Sequence, residues 1–190
     1  MIAKSISKLY FKLSGWKTAG SIPQNVKKCI IIGAPHTSNW DFIYARLALY
    51  IFGYKINYLI KDSMFKNPIA AWFFKITGGI PVTRDKRTNL TGELAKLLKT
   101  ADKLYLAIAP EGTRKRVSKW KTGFYRIAID CNMPIAIAFL DYKKKYAGFM
   151  KILYPTGNMI EDFKLIESSY SPEMADNPDY FNPQIFERDK

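Results

Sequence analysis

At 190 residues and 48% hydrophobic content, the chain is long enough to bury a real core in one domain and too apolar to be disordered. Lysine and arginine outnumber aspartate and glutamate 30 to 16, and the net charge of +14 points to a polyanionic partner. One histidine and two distant cysteines, Cys29 and Cys131, exclude a zinc site and a disulfide framework, and both cysteines read as core residues of a reducing compartment.

In chain order, Ile2, Ile6, Leu9, Leu13 and Trp16 recur at steps of four and three, which is one face of a helix. Lys4, Lys8 and Lys12 form another face, and Phe11 falls on the wrong side. Such a basic amphipathic helix either lies in a membrane interface or packs on the domain's own surface. A polar linker over 17–28 follows, with Gly20 and Pro23. A buried strand is predicted over 30–33, then a largely apolar helix over 39–52 that Gly53 ends. Residues 57–61 alternate like a strand, and Pro68 opens an apolar helix reaching Ile76. The run Trp72-Phe73-Phe74 inside it is compatible with core, with the lining of an apolar pocket and with lipid contact. A strand over 80–83 comes next, and Leu90, Leu94, Leu97 and Leu98 show helical spacing. Then come a strand over 104–109, a basic loop, a helix over 123–131 and a strand over 135–140. An antiparallel strand over 149–154 and a short helix over 159–168 precede a tail broken by Pro172, Pro178 and Pro183.

Strands alternating with helices predict an α/β fold, a single layered domain on a mainly parallel sheet with flanking helices. The expected division is an amphipathic, membrane-facing helix over 1–17, the domain over 18–170 and an irregular tail over 171–190. No stretch reaches the ~18 apolar residues of a membrane span. The start lacks the apolar core of a signal peptide, so none is expected.

The lone histidine stands in His36-Thr37-Ser38-Asn39-Trp40-Asp41, directly after the first buried strand. Ligands of open α/β sheets sit at the carboxyl ends of strands. Histidine suits proton transfer near neutrality, and a carboxylate can fix its tautomer. Residues five apart lie ~140° apart on a regular helix of ~3.6 residues per turn. His36 must therefore sit in the loop before the helix, with its ring folded back toward Asp41. Ser38-Asn39-Trp40-Asp41 also fits a capping box, and a capped helix would hold Asp41 still. Three further blocks follow: glycines that end an apolar helix before a short strand with an arginine at its exit, a strand running into a tight polar turn, and a proline leading a buried strand. They are Gly78-Gly79-Ile80-Pro81-Val82-Thr83-Arg84, Ala109-Pro110-Glu111-Gly112-Thr113-Arg114, and the proline-led strand Met133-Pro134-Ile135-Ala136-Ile137-Ala138-Phe139.

These four blocks, in this order, resemble the glycerolipid acyltransferase family of the lysophosphatidic acid acyltransferase type. The blocks are H-x-x-x-x-D, a glycine-to-arginine block, E-G-T-R and a proline-led strand, and the likeness spans roughly 30–140. The contexts of His36 and of Trp120-Lys121-Thr122-Gly123-Phe124 look like a short bacterial branch. The chain departs from the pattern at Pro35, Pro81, Ala109 and Lys115, none of which removes a chemically essential group.

The resemblance implies acyl transfer from acyl-CoA or acyl-carrier protein to a hydroxyl of a lysophospholipid or glycerol phosphate. It makes His36 the general base and Asp41 the residue that orients and charges it. Arg84, Glu111, Gly112, Thr113 and Arg114 would shape the acceptor site, the arginines binding phosphate through their planar forks. No cofactor and no metal are implied beyond the thioester co-substrate. The expected location is peripheral, on the cytoplasmic face of the cell membrane, against an anionic surface. Two other classes compete. A basic nucleic-acid-binding module draws on the charge and the aromatic residues but shows no recognised motif, so nucleic acid is not the expected partner. A non-catalytic lipid-binding relative would be favoured by loss of the histidine or its carboxylate, and both are present.

Overall fold

The computed structural model describes residues 2–82, 101–182, 185 and 186. The predicted helix around Leu90–98 and the position of Arg84 lie outside them. The described strands form one seven-stranded sheet: β1 (Lys17–Ala19), β2 (Lys28–Ala34), β3 (Asn57–Lys61), β4 (Gly79–Val82), β5 (Leu104–Ile108), β6 (Ile135–Asp141) and β7 (Tyr146–Leu153). Their order is β1-β7-β6-β2-β5-β3-β4. From β6 to β4 all neighbours are parallel; β7 is antiparallel to β6, and β1 runs parallel to β7. The expected mainly parallel sheet with an antiparallel last strand is what forms.

The apolar run of β2 explains its central place. Strands of a parallel sheet are covered on both faces, so they need apolar residues at successive positions. Ile30 and Ile32 enter one core with Leu104, Leu106, Ile135 and Ile137. Cys29 and Ile31 enter the opposite core with Tyr105, Ala136 and Phe149. The first core is closed by α4 (Gly123–Asp130) and α5 (Met159–Glu167), through Phe124 and Phe163. The tail joins this core: after two short 3₁₀ turns, Phe181 and Ile185 are almost fully buried. On the other face lies α2 (Trp40–Phe52), and α1 (Ile2–Ser14) packs on α2.

Local signals account for the ends of two helices. Gly53 adopts φ 77°, and its N–H donates back to Leu49 and Tyr50, which closes α2. In α3 (Pro68–Thr77) the Asn67 side chain accepts from the N–H groups of Ile69 and Ala70, and proline sits in the first turn.

Two expectations change. The predicted polar linker contains β1, an edge strand of three residues. It pairs with β7 at close range: a Cβ on Gly148 would meet the carbonyl oxygen of Ala19 at 1.7 Å, and one on Gly20 that of Phe149 at 1.9 Å. The amphipathic helix is docked the other way round from the sequence pattern. Phe11, off the apolar stripe, is buried with Ser7, while Ile2 and Leu13 are 78% and 79% exposed. Trp16 lies beyond the helix end and is buried, stacked on Tyr44 at 4.2 Å.

Candidate active site

Because β2, β5 and β6 are parallel, their carboxyl ends meet at one edge of the sheet. Ala34 hands the chain to Pro35 and His36, Ile108 to the Ala109–Arg114 turn, and Asp141 to Tyr142. β4 ends at Val82 on the same edge; Arg84, two residues on, lies outside the described residues.

His36 sits in the loop before α2, and its Nδ1 lies 3.0 Å from Asp41 Oδ2. This is the folded-back ring that helical geometry demands. Asp41 is in the first turn of α2 and is 5% exposed. Its Oδ2 also accepts the N–H groups of Thr37 at 2.8 Å and Ser38 at 2.9 Å. The bond to Ser38 N–H is half of the predicted capping box; in place of the other half, the Ser38 hydroxyl accepts from Trp40 N–H at 3.1 Å. Asp41 Oδ1 accepts the Tyr142 hydroxyl at 2.8 Å. Four partners thus surround this one buried carboxylate. With Nδ1 engaged by Asp41, Nε2 is the ring nitrogen left for chemistry, the arrangement in which an imidazole takes up a proton while a carboxylate steadies the cation that forms.

Glu111 is 4% exposed, and its Oε2 accepts the His36 backbone N–H at 3.0 Å, tying the β5 turn to the histidine loop. Its Oε1 is buried without a hydrogen-bond partner. Burial first, and then the nearby Asp41 charge, push the Glu111 carboxyl up to about 8, against the pull of the His36 N–H. Glu111 thus serves as a strut behind the site. The next residues of the turn are exposed: Gly112, at φ 67°, is followed by Thr113 and Arg114. A Cβ on Gly112 would meet Lys121 Nζ at 2.7 Å.

His36, Asp41, Gly112, Thr113 and Arg114 all line one cavity of about 970 Å³. Its inner wall is apolar, with Ala45, Leu49, Phe52, Ile56, Ala107 and Phe149 between α2 and the sheet. His36, Thr37, Ser38, Thr113 and Arg114 reach it from the loops, so the cavity joins polar side chains to an apolar wall, the usual make-up of a site for an apolar ligand with a polar head. Arg84 cannot be placed among these residues, and Glu111 stands behind them.

Four residues of the site region gave no sequence signal or only a faint one. Arg46 lines the cavity from α2, with its guanidinium 5.0 Å from the Tyr50 ring; a lone cation inside an apolar helix was the available hint. Asn177 and Tyr180 line the cavity from the tail, and Asn177 holds the histidine loop by donating to Thr37 Oγ1 and Thr37 O at 3.2 Å each. Tyr142 lies 101 residues from Asp41, and no short motif connects them. Among the described residues no group of histidine, cysteine and acidic side chains could hold a metal ion, and no helix is long and apolar enough to cross a membrane.

A family model described as Acyltransferase matches residues 18–138, which includes the histidine loop and the Glu111–Arg114 turn. No curated protein matches the chain. Among solved structures, the fold is similar to the crystal structure of the 1-acyl-sn-glycerophosphate (LPA) acyltransferase PlsC from Thermotoga maritima. The TM-score is 0.62 at 18% identity, covering 88% of this chain and 74% of that one.

Proposed function

The chain belongs to the acyltransferase family, and from that footing we propose that it moves a fatty acyl group from acyl-CoA or acyl-carrier protein to the hydroxyl of a lysophosphatidic acid-like acceptor. The observation that carries this is the His36–Asp41 contact of 3.0 Å at the mouth of an apolar cavity that Arg114 also lines. A thioester is already activated, so no covalent enzyme intermediate is required. His36 Nε2 takes the proton of the acceptor hydroxyl as its oxygen bonds to the thioester carbonyl carbon. The tetrahedral intermediate collapses, the C–S bond breaks, and the departing thiolate takes the proton back from the imidazolium. Asp41 keeps the ring in the Nδ1–H tautomer and offsets the charge that forms on it. A positioned base of this kind contributes ~10²–10⁴-fold.

In the same scheme Arg114 and Arg84 bind the acceptor phosphate, Gly112 and Thr113 shape the turn that presents Arg114, and the acyl chain occupies the apolar interior. The acceptor and its acylated product are lipids, so the protein works against an anionic membrane surface as a peripheral protein. What supports this is the net charge of +14 together with the exposed Ile2, Ile6, Leu9 and Leu13 of α1.

The test offers purified protein a labelled acyl-CoA or acyl-carrier protein, with lysophosphatidic acid in one arm and a total lipid extract in the other, and identifies products by mass spectrometry. Labelled diacylated phospholipid is expected from the wild type and is lost in His36→Ala. No transfer from either thioester to any lipid would end the proposal.

A further inference from the structure

We infer that Tyr142 is a positioning residue of the His36–Asp41 pair, acting through the Asp41 oxygen that the histidine loop leaves unheld; this rests on the roles proposed above for His36 and Asp41. The two oxygens of Asp41 are held from opposite sides. Oδ2 accepts from His36 Nδ1 and the N–H groups of Thr37 and Ser38, all within the same loop. Such local bonds keep loop and carboxylate together but do not fix either against the sheet. Oδ1 accepts from the Tyr142 hydroxyl, which comes from the residue following β6.

Tyr142 is itself well anchored. Its backbone N–H donates to Met174 O at 3.0 Å. Its ring is met edge-on by Trp16 at 5.1 Å and Tyr44 at 5.7 Å, with interplanar angles of 90° and 85°. Burial and the Asp41 charge hold its hydroxyl far above the ordinary phenol range, so it stays a protonated donor wherever the histidine titrates. The hydroxyl draws charge from Asp41 at a fixed point of the frame. It therefore sets the direction of the carboxylate and the negative charge that His36 feels.

The competing role is packing alone: a ring filling the space beside Trp16 and Tyr44, with a hydroxyl that merely meets the nearest acceptor. Tyr142→Phe separates the two because it keeps the ring and removes only the donor. With a single histidine in the chain, the imidazole nitrogen signals of ¹⁵N-labelled protein belong to His36 without assignment, and they report tautomer and titration independently of turnover. The other titratable or charged groups around the pair, among the described residues, are Glu111 at the His36 N–H, Arg46, Arg114 and Lys115 on the cavity wall, and Tyr44 and Asp176 beside Tyr142. All are unchanged in the variant.

In Tyr142→Phe the His36 titration is expected to move to higher pH, since Asp41 shares its charge with one donor fewer. The value of kcat falls by about tenfold, a part of the general-base contribution, while KM for either substrate stays within about twofold. A fluorotyrosine placed at position 142 alone, a stronger donor, moves the titration the other way and guards against a Phe variant that folds poorly. If the imidazole signals of both variants match the wild type, the inference is overturned whatever the activity. If they move while the wild type transfers no acyl group, Tyr142 keeps its hold on the pair and the proposed acyl transfer falls.

Discussion

Two side chains at the site have measurable consequences of their own. Glu111 is a buried carboxyl with one oxygen unpartnered, and its folded-state value is pushed up to about 8, while a glutamate in the unfolded chain titrates near ~4.3. Between those values the folded protein holds a proton that the unfolded chain has released. Stability therefore falls as pH rises through that window and levels off above it. Glu111→Gln stays neutral throughout and keeps an oxygen for the His36 N–H. The expected result is a wild-type Tm that declines between about pH 5 and 8 and a flatter curve for the variant; at this chain size ~1 kcal/mol moves Tm by about 2–4 °C. Parallel curves would show that Glu111 ionises without cost. Arg114 is an exposed cation on the cavity wall, beside the exposed Lys115. If it holds the acceptor phosphate, Arg114→Ala raises the KM of lysophosphatidic acid by about tenfold and leaves that of the thioester nearly unchanged. Arg114→Lys restores part of the loss, because an ammonium lacks the bidentate fork. A change confined to the thioester KM would assign the arginine to the donor instead.

At the scale of elements, α1 shows what pattern reading can and cannot supply. Its stripe of Ile2, Ile6, Leu9 and Leu13 was legible, but which face meets the protein was not, because that depends on the partner. The partner surface is the aromatic group of Trp16, Tyr44 and Tyr142, and Phe11 reaches it from the supposedly wrong side. Trp16 fitted the stripe by spacing alone; the helix ends at Ser14, so that spacing carried no meaning. β1 was missed because three residues, Lys17-Thr18-Ala19, hold no periodicity, and its pairing is made possible by Gly148 on β7 and by Gly20 just after β1. By contrast β2, the proline-opened α3 and the glycine-closed α2 follow local rules and were readable. So was the folded-back histidine, since helix geometry leaves one solution for a five-residue spacing. The docked face of α1 has a direct test in thermal unfolding. Phe11→Ala removes a side chain 3% exposed and should cost ~3–5 kcal/mol. Leu13→Ala, at 79% exposure, should stay within about 0.5 kcal/mol. Equal losses would mean that α1 docks through its stripe after all.

On the scale of the whole molecule, charge and exposed apolar surface point to the same partner. Besides the α1 stripe, Trp40 and Ile43 on α2 and Ile69, Trp72 and Ile76 on α3 are exposed, so the run around Trp72 is not core. Isolated exposed apolar residues are ordinary, but several on neighbouring turns of α1 are the mark of an interaction surface. Combined with a net charge of +14, they support the proposed contact with a bilayer rich in anionic lipid. Each basic residue near such a surface contributes ~1 kcal/mol, and the attraction fades within a Debye length of about 10 Å at 0.1 M salt. Deleting residues 1–17 is a poor test, because it removes the buried Phe11 and Trp16 and with Trp16 a packing partner of Tyr142. The triple variant Ile6→Ser, Leu9→Ser, Leu13→Ser strips only exposed side chains. Its Tm should stay close to wild type, and sedimentation with anionic vesicles should weaken at every salt concentration. Wild-type binding should fall as salt rises, and neutral vesicles should retain little protein, since one helical stripe offers limited apolar area. If the triple variant sediments like the wild type across the whole salt series, α1 is not the membrane contact and the exposed residues of α2 and α3 become the surface to alter.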